Sequence, residues 1–196
     1  MDVLIKSSNG FTIVPMETRQ LSRRIITING EITETSALAF TDKILELNLE
    51  SYEPIYIFIN SPGGEINSGL LMYDAIVDSK AKICMICRGK AYSMGAVLFT
   101  CADERLMLPN SELMLHQPLL GGKISGNASS IKSISDTLLE TKERLNQLIS
   151  AHTGKSLEEI DAATSFDHYF SPEEAVEFHL CDRIICFEEV INLINE

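Results

Sequence analysis

The sequence predicts an α/β fold with a mostly parallel sheet, flanking helices and one long helix that projects from the domain. Unbroken apolar runs at 55–59 and 82–87 are typical of parallel strands covered on both faces. Segments with helical periodicity alternate with these runs, which predicts right-handed crossovers between parallel strands. A long amphipathic pattern at 129–152 exceeds what a compact α/β domain needs. It predicts a helix that packs either on another subunit or along its own.

The composition limits the class of protein. The 196 residues are 45% hydrophobic, which predicts a globular chain with a sizeable core. The net charge of −12 argues against nucleic acid and anionic membrane as partners, because both bind basic patches. No apolar run approaches the roughly 18 residues of a membrane span, and the first residues lack the pattern of a secretory signal. We therefore expect a cytoplasmic protein.

Five cysteines lie mostly within apolar runs. An odd number in such positions predicts buried, reduced thiols rather than disulfides. Cys84 and Cys87 form a C-x-x-C pair, but this pair lies in a predicted strand, and Cys181 and Cys186 match a second pair poorly. We therefore expect no metal site.

The chain divides into an N-terminal arm at 1–24 and a single domain at 25–196. The arm contains only a weak strand pattern at 11–14. Apolar and β-branched residues predict the strands of the domain at 24–29, 55–59, 82–87, 105–108, 113–115 and 182–185. Helical spacing predicts helices at 33–51, 67–79, 96–100, 129–152, 156–163, 171–178 and 188–194.

Several helix ends carry recognisable capping residues. Thr33 or Thr35 begins the helix at 33–51, whose apolar residues are Leu38, Ile44, Leu45 and Leu49. Capping boxes, S-L-E-E and S-P-E-E, begin the two helices after the long one. Gly154 is placed to end the long helix, whose apolar stripe comprises Ile131, Ile134, Leu138, Leu145, Leu148 and Ile149.

Two strand-to-helix turns contain glycines where the backbone has to approach another group closely. They lie at 60–64 and 89–95, at the edge of a parallel sheet where ligands bind. Backbone amides from two such turns can hold a carbonyl oxygen between them, as an oxyanion hole does. Ordinary tight turns explain the same glycines equally well.

Ser93 is the hydroxyl residue that Gly89 and Gly95 bracket in the second turn. A nucleophile at this place has the free amides of the next helix beside it. The spacing differs from the G-x-S-x-G of the α/β-hydrolases. A serine that only caps the following helix is the alternative interpretation.

A serine nucleophile needs a base and a group that orients the base. His116 ends an apolar strand near both glycine turns, so it is the best placed of the four histidines. His152 lies at the end of the long helix, where a positive charge is favourable, and His168 and His179 lie in polar segments. The orienting carboxylate cannot be chosen by spacing among Asp103, Asp136, Asp161, Asp167 and Asp182.

Five segments resemble the caseinolytic protease family, ClpP, and occur in family order. They are I-N-S-P-G-G at 59–64, G-K-A-Y-S-M-G-A at 89–96, P-N-S-E-L-M-L-H-Q-P at 109–118, H-T-G-K-S at 152–156 and D-H-Y-F-S-P-E-E-A at 167–175. The resemblance covers most of the chain from about residue 25 to 186 and implies a ClpP/crotonase-like fold.

The resemblance implies a role for each site residue. Ser93 is expected to be the nucleophile, His116 the base and Asp167 the group that orients it. The backbone amides of Gly64 and Met94 are expected to form the oxyanion hole. The implied reaction is peptide hydrolysis through an acyl-enzyme, with no cofactor and no metal, since ATP is used by a partner unfoldase.

The resemblance also implies an assembly. Two stacked heptameric rings, possibly mixed with a sister subunit, are expected to enclose a chamber. The long helix, as a handle at about 123–152, is expected to join them. An ATP-driven Clp unfoldase of the ClpX, ClpA or ClpC type is expected to feed unfolded proteins into the chamber.

Four departures from the family pattern indicate a divergent paralogue. Phe166 replaces an arginine that often pairs across the rings, and Asp78 replaces an aromatic residue of the unfoldase groove. The arm before residue 24 does not follow the usual axial loops, and the loop near Leu120 and Gly121 is slightly longer. These differences affect docking rather than the predicted triad.

Two other functions were considered from the sequence. A crotonase-like acyl-CoA enzyme uses similar glycine turns, but it does not require Ser93 and His116. The second alternative is a catalytically silent or dormant ring subunit that acts with a sister subunit. The presence of all three triad residues favours the active protease.

Overall fold

The computed structural model describes residues 1–7, 10–121 and 125–195 of the chain. Near the N-terminus, strands β1 (Asp2–Ser7) and β2 (Gly10–Pro15) form an antiparallel hairpin, and helix α1 (Met16–Leu21) follows. The hairpin is a separate two-stranded sheet. The sequence predicted only the second of its strands, because the first, D-V-L-I-K-S, mixes polar and apolar residues without strict alternation.

The central sheet is mostly parallel, as predicted. Its main path has the order β3-β4-β5-β6-β9, and every neighbouring pair along that path is parallel. The strands are β3 (Ile25–Asn29), β4 (Ile55–Ser61), β5 (Ile83–Tyr92), β6 (Glu104–Met107) and β9 (Arg183–Ile184).

Strand β5 is longer than predicted and serves two sets of neighbours. Its residues 84–87 pair with β6, whereas residues 90–92 pair with β7 (Glu112–Leu115). Strand β8 (His168–Phe170) then pairs antiparallel with β7. The sequence did not predict β8, because three residues with mixed polarity give no pattern of their own.

Helices cover the sheet in the predicted order. Thr33, Ser156 and Ser171 form capping boxes, and Gly154 ends α5 in the left-handed conformation with φ 71°. The helices are α2 (Glu34–Glu50), α3 (Ile66–Val77), α4 (Met94–Thr100), α5 (Ala128–Thr153), α6 (Leu157–Thr164), α7 (Pro172–Glu177) and α8 (Phe187–Asn195).

The buried face of α2 differs from the predicted stripe. Three of the four predicted positions are exposed, namely Leu38 (51%), Leu45 (59%) and Leu49 (74%). The buried residues are Ala37, Phe40, Ile44 and Leu47. Because α2 has apolar residues on two faces, its periodicity alone could not decide which face meets the sheet.

Helix α5 has 26 residues, which corresponds to a length of about 39 Å. Its buried residues, Leu145, Asn146, Ile149 and Thr153, all belong to its C-terminal part. Ile131 and Leu139, nearer its start, are 48% and 60% exposed. The helix therefore extends beyond the packed body. Of the predicted handle at about 123–152, residues 123 and 124 lie outside the described residues, and the helix itself begins at Ala128.

Two apolar clusters hold the body together. The larger one joins the sheet to α2, α3, α4 and α5, with Ile57, Met85 and Phe99 fully buried. The smaller one joins Phe58, Ile86 and Leu106 to Val190 of α8. In the described parts of the chain, no helix combines the length and hydropathy that a membrane span requires.

Candidate active site

Ser93 lies at the sharp turn between β5 and α4, with φ 54° and ψ −124°. A positive φ is uncommon for a residue with a side chain and indicates a locally strained backbone. The Ser93 N–H donates to the Met114 carbonyl at 2.8 Å, which fixes the turn to β7. The Ser93 hydroxyl makes no capping hydrogen bond with the described backbone of α4. The interpretation of Ser93 as a simple capping serine was therefore wrong.

Gly63 allows the first turn to approach the Ser93 turn, and Gly64 allows it to approach Ile32. A Cβ on Gly63, which has φ 92°, would lie 2.7 Å from the Tyr92 carbonyl oxygen and 2.8 Å from the Ser93 Cβ. A Cβ on Gly64 would lie 2.2 Å from the Ile32 carbonyl oxygen. All three distances are shorter than a side chain tolerates, so these two glycines are required by close contact.

Gly64 forms a parallel bridge with Ile32 whose two hydrogen bonds do not use the Gly64 N–H. Ile32 donates its N–H to the Gly63 carbonyl at 2.8 Å, and Glu65 donates to the Ile32 carbonyl at 2.9 Å. Because extended backbone groups alternate in direction, the Gly64 N–H points away from Ile32. Gly64, Ser93 and Met94 all line one cavity. The predicted oxyanion residues therefore lie on the same cavity wall as the predicted nucleophile.

His116 and Asp167 meet at the end of the β7–β8 ladder. The last register pair of that ladder is Leu115 with His168, so His116 and Asp167 are the next two opposed residues. The His116 Nδ1 lies 3.2 Å from the Asp167 Oδ1. The His116 Nε2 lies 2.7 Å from the Ser93 Oγ. The structure thus brings the three residues predicted for the triad into one hydrogen-bonded chain.

The two hydrogen bonds of His116 favour one arrangement of its protons. Asp167 accepts from the Nδ1–H of His116, which leaves Nε2 as the acceptor for the Ser93 O–H. The His116 side chain is 13% exposed, whereas that of Asp167 is 59% exposed. The imidazole is therefore held within the cavity wall while the carboxylate stays in contact with solvent.

The other four candidate aspartates have other partners. Asp103 accepts from the Ile83 N–H at 2.7 Å, and Asp136 pairs with Lys132. Asp161 pairs with Lys142, and Asp182 with Arg105. Asp167 is thus the candidate that contacts His116, a choice that spacing left open.

The other histidines also lie elsewhere. The Tyr73 O–H donates to the Nε2 of His152 at 2.7 Å. Burial, and then the nearby Arg105, lower the pKa of His152. This shift disfavours the positive charge that was expected at this helix end. His168 stacks on Phe170, and His179 is exposed.

A cavity of about 860 Å³ lies between the triad and α5. Its wall is largely apolar, with Leu70, Val97, Leu138, Leu145 and Ile149 among its residues. Leu119 and Leu120, from the loop after β7, also line it. A concave and mostly apolar cavity beside polar groups is typical of a ligand site.

The cysteines are not arranged as metal ligands. Burial raises the pKa of Cys84 to about 12 and that of Cys87 to about 12, which disfavours the thiolates. The two thiols belong to different apolar clusters. Within the described ranges, no group of three His, Cys, Asp or Glu side chains is placed to hold a metal ion.

Two residues that were expected to depart from the family pattern lie at the surface or at a helix end. Phe166 is 84% exposed directly before Asp167, and Asp78 is the C-cap of α3.

Sequence reasoning missed Tyr92, which precedes Ser93 and contacts both β7 and β8 through Glu112 and Tyr169. Its aromatic ring within a glycine-bracketed turn was the available indication.

A comparison with protein families agrees with the geometry. The family model described as Clp protease matches residues 9–188, a range that includes Ser93, His116 and Asp167.

Proposed function

Because the chain belongs to the Clp protease family, we propose that it is the proteolytic subunit of an ATP-dependent Clp protease. In this proposal it is a serine endopeptidase that cleaves unfolded proteins into short peptides. The single observation that supports it most is the chain of contacts from Ser93 through His116 to Asp167, at 2.7 and 3.2 Å.

The reaction begins with Ser93. Its hydroxyl attacks the carbonyl carbon of a peptide bond while His116 Nε2 takes the proton. Asp167 stabilises the imidazolium that forms and holds the ring in the required orientation. His116 then gives the proton to the leaving amine, which produces an acyl-enzyme on Ser93. A water molecule, deprotonated by His116, then attacks the acyl carbon. The ester bond to Ser93 breaks as His116 returns the proton to Ser93 Oγ, which releases the second product as a carboxylic acid.

The negative charge of each tetrahedral intermediate needs hydrogen-bond donors. We assign this role to the backbone amides of Gly64 and Met94, which line the cavity next to Ser93. Because backbone amides are fixed before the reaction begins, they stabilise the charge with little reorganisation. Such a donor typically contributes about 100-fold or more to kcat.

The proposed substrate is an extended segment of an unfolded protein. The apolar cavity between the triad and α5 supports this class, since its lining can contact the apolar side chains that an unfolded segment exposes. The chemistry of Ser93, His116 and Asp167 uses no cofactor or metal of its own. ATP is consumed by the partner, a Clp unfoldase of the ClpX, ClpA or ClpC type.

We further propose that the subunits form two stacked heptameric rings, possibly mixed with a sister subunit. The exposed apolar residues of α5, Ile131 and Leu139, support its role as the handle between rings. The exposed face of α2, with Leu38, Leu45 and Leu49, supports a contact within a ring. The four buried thiols support a reducing compartment such as the cytoplasm.

The contact distances favour this proposal over a dormant ring subunit, because a dormant triad is expected to be misaligned. They also favour it over a crotonase-like acyl-CoA enzyme, which has no need of a serine, histidine and aspartate in contact.

Hydrolysis of a short fluorogenic peptide by the purified chain tests the proposal. We expect the parent to cleave the peptide and Ser93→Ala to lose all measurable turnover. Size-exclusion chromatography should show the same assembly for both. Cleavage by Ser93→Ala at the parent rate would refute the assignment of the nucleophile.

A further inference from the structure

A row of three side chains crosses the strands directly beside the triad. Tyr92 of β5 is in register with Met114 of β7, and Met114 is in register with Tyr169 of β8. Opposed residues on neighbouring strands share one face of the sheet. Since side chains alternate, His116 and Asp167 follow Met114 and Tyr169 on this same face. The row is therefore the layer next to the His116–Asp167 pair.

Tyr92 links all three strands through two contacts. Its hydroxyl donates a hydrogen bond to a carboxylate oxygen of Glu112 on β7. This hydrogen bond, together with partial burial, raises the pKa of Tyr92 to about 12. Its ring meets that of Tyr169 edge-on, with the centroids 5.7 Å apart and an interplanar angle of 87°. Aromatic pairs prefer this edge-to-face arrangement. We refer to Tyr92, Glu112 and Tyr169 as the tyrosine brace.

Asp167 lies between the end of the β7–β8 ladder and a hydrogen bond of 3.0 Å from the Gln117 side chain to the Ser165 carbonyl. It precedes β8, a strand of three residues that pairs with β7 alone among the described strands. Within the described parts of the chain, His116 is the one hydrogen-bond partner of Asp167. Its side chain is also 59% exposed. The position of Asp167 therefore depends on how firmly β8 is held.

We propose that Tyr92 is a positioning residue, which acts through Glu112 and Tyr169 to hold β8 so that Asp167 stays against His116. This inference rests on the proposed serine protease function. It extends that function, because it adds residues that touch neither the substrate nor the reacting atoms. The brace joins the residue before the nucleophile to the strands that position the base and its orienting group.

The brace can be removed one contact at a time. Tyr92→Phe keeps the ring and removes the hydrogen bond to Glu112. Tyr169→Ala removes the ring contact, and Tyr169→Phe is its conservative counterpart. Tyr52→Phe is a matched control, since Tyr52 is 63% exposed and lies outside the brace. Each variant is assayed as the intact assembly, for peptide hydrolysis, for the rate of labelling by a fluorophosphonate, and for amide hydrogen exchange.

We expect Tyr92→Phe and Tyr169→Ala to lower kcat and the labelling rate by about tenfold, with KM little changed, because small displacements of catalytic groups act on the chemical step. Amide exchange of residues 168–170 should become severalfold faster in both, while that of residues 187–195 should not change. Tyr169→Phe and Tyr52→Phe should match the parent in all three assays.

Each contrary result has a distinct meaning. A parent that labels at Ser93, with Tyr92→Phe labelled at the same rate, overturns the positioning role and leaves the proposed function intact. Unchanged exchange at 168–170 in Tyr169→Ala also overturns it. A parent that neither labels nor hydrolyses peptide overturns the proposed function and the positioning role together.

Discussion

His116 and Asp167 are the first opposed residues beyond the three register pairs of the β7–β8 ladder, and their side chains meet at 3.2 Å. Their contact is therefore a consequence of strand register, because a shift of β8 by one residue would turn Asp167 to the other face. The same ladder is tied to Ser93 through the Met114 carbonyl.

Asp167→Asn should lower kcat for peptide hydrolysis by about 10²- to 10⁴-fold. The amide cannot stabilise the imidazolium, and it favours the wrong tautomer of His116. Steady-state kinetics measure this effect, with little change expected in KM. Asp136→Asn is the control, because Asp136 pairs with Lys132 on the exposed part of α5. Equal losses in the two variants would contradict the role of Asp167.

Gly63→Ala should reduce activity more than tenfold, because the new Cβ would lie 2.8 Å from the Ser93 Cβ and displace the Ser93 turn. Gly30→Ala is the control, because it introduces the strain of a positive φ without a close contact of the new Cβ. Gly30 has φ 87°, close to the 92° of Gly63, but no described atom lies within 4 Å of its Cβ position. Thermal unfolding should show destabilisation in both variants, larger in Gly63→Ala because only its new Cβ meets other atoms. Peptide hydrolysis should show a loss of kcat only in Gly63→Ala.

His152→Gln should make stability less dependent on pH below 6.5. Burial and Arg105 lower the pKa of His152 in the folded chain from 6.5, so the unfolded chain binds the proton first as the pH falls. The folded state therefore loses stability below pH 6.5. Thermal unfolding at several pH values measures the slope, which should be shallower in the variant. A slope in His152→Gln equal to that of the parent would contradict the assignment.

Asp182→Asn should lower the melting temperature at pH 7 by about 2–4 °C, roughly 1 kcal/mol after allowance for solvent screening. Burial alone would raise the pKa of Asp182, but hydrogen bonds from Arg105 outweigh it and hold the pKa below the usual 3.8. The stabilisation is thus present above pH 3.8 and is lost as the pH falls through the lowered value. The parent and the variant should therefore converge near pH 2. A constant difference down to that pH would show that the ionised carboxylate is not responsible.

Much of the fold follows from local patterns in the sequence. The apolar runs of β4 and β5 and the capping boxes at Ser156 and Ser171 predicted their elements, since these are local effects of burial and hydrogen bonding. The apolar residues named for α2 from the sequence are mostly exposed, because this helix has apolar residues on two faces and its periodicity does not show which face packs on the sheet. The short β8 had no local pattern at all.

The candidate site shows the same division. Ser93 and His116 could be selected from their neighbours, because turns and strand ends are visible in the sequence. Asp167 could not, since five aspartates were available and only the non-local pairing of β7 with β8 distinguishes it. The resemblance to ClpP supplied that choice in advance. Tyr92 was overlooked, because its contacts join three strands that are far apart in the chain.

Labelling by a fluorophosphonate, with the modified residue mapped by mass spectrometry, tests the central claim most directly. The sample is the intact chain, separated by size-exclusion chromatography before labelling. The account predicts modification at Ser93 in a ring-sized fraction, and none in Ser93→Ala. A ring-sized fraction that stays unmodified would contradict the proposed active triad, as would modification at a serine other than Ser93.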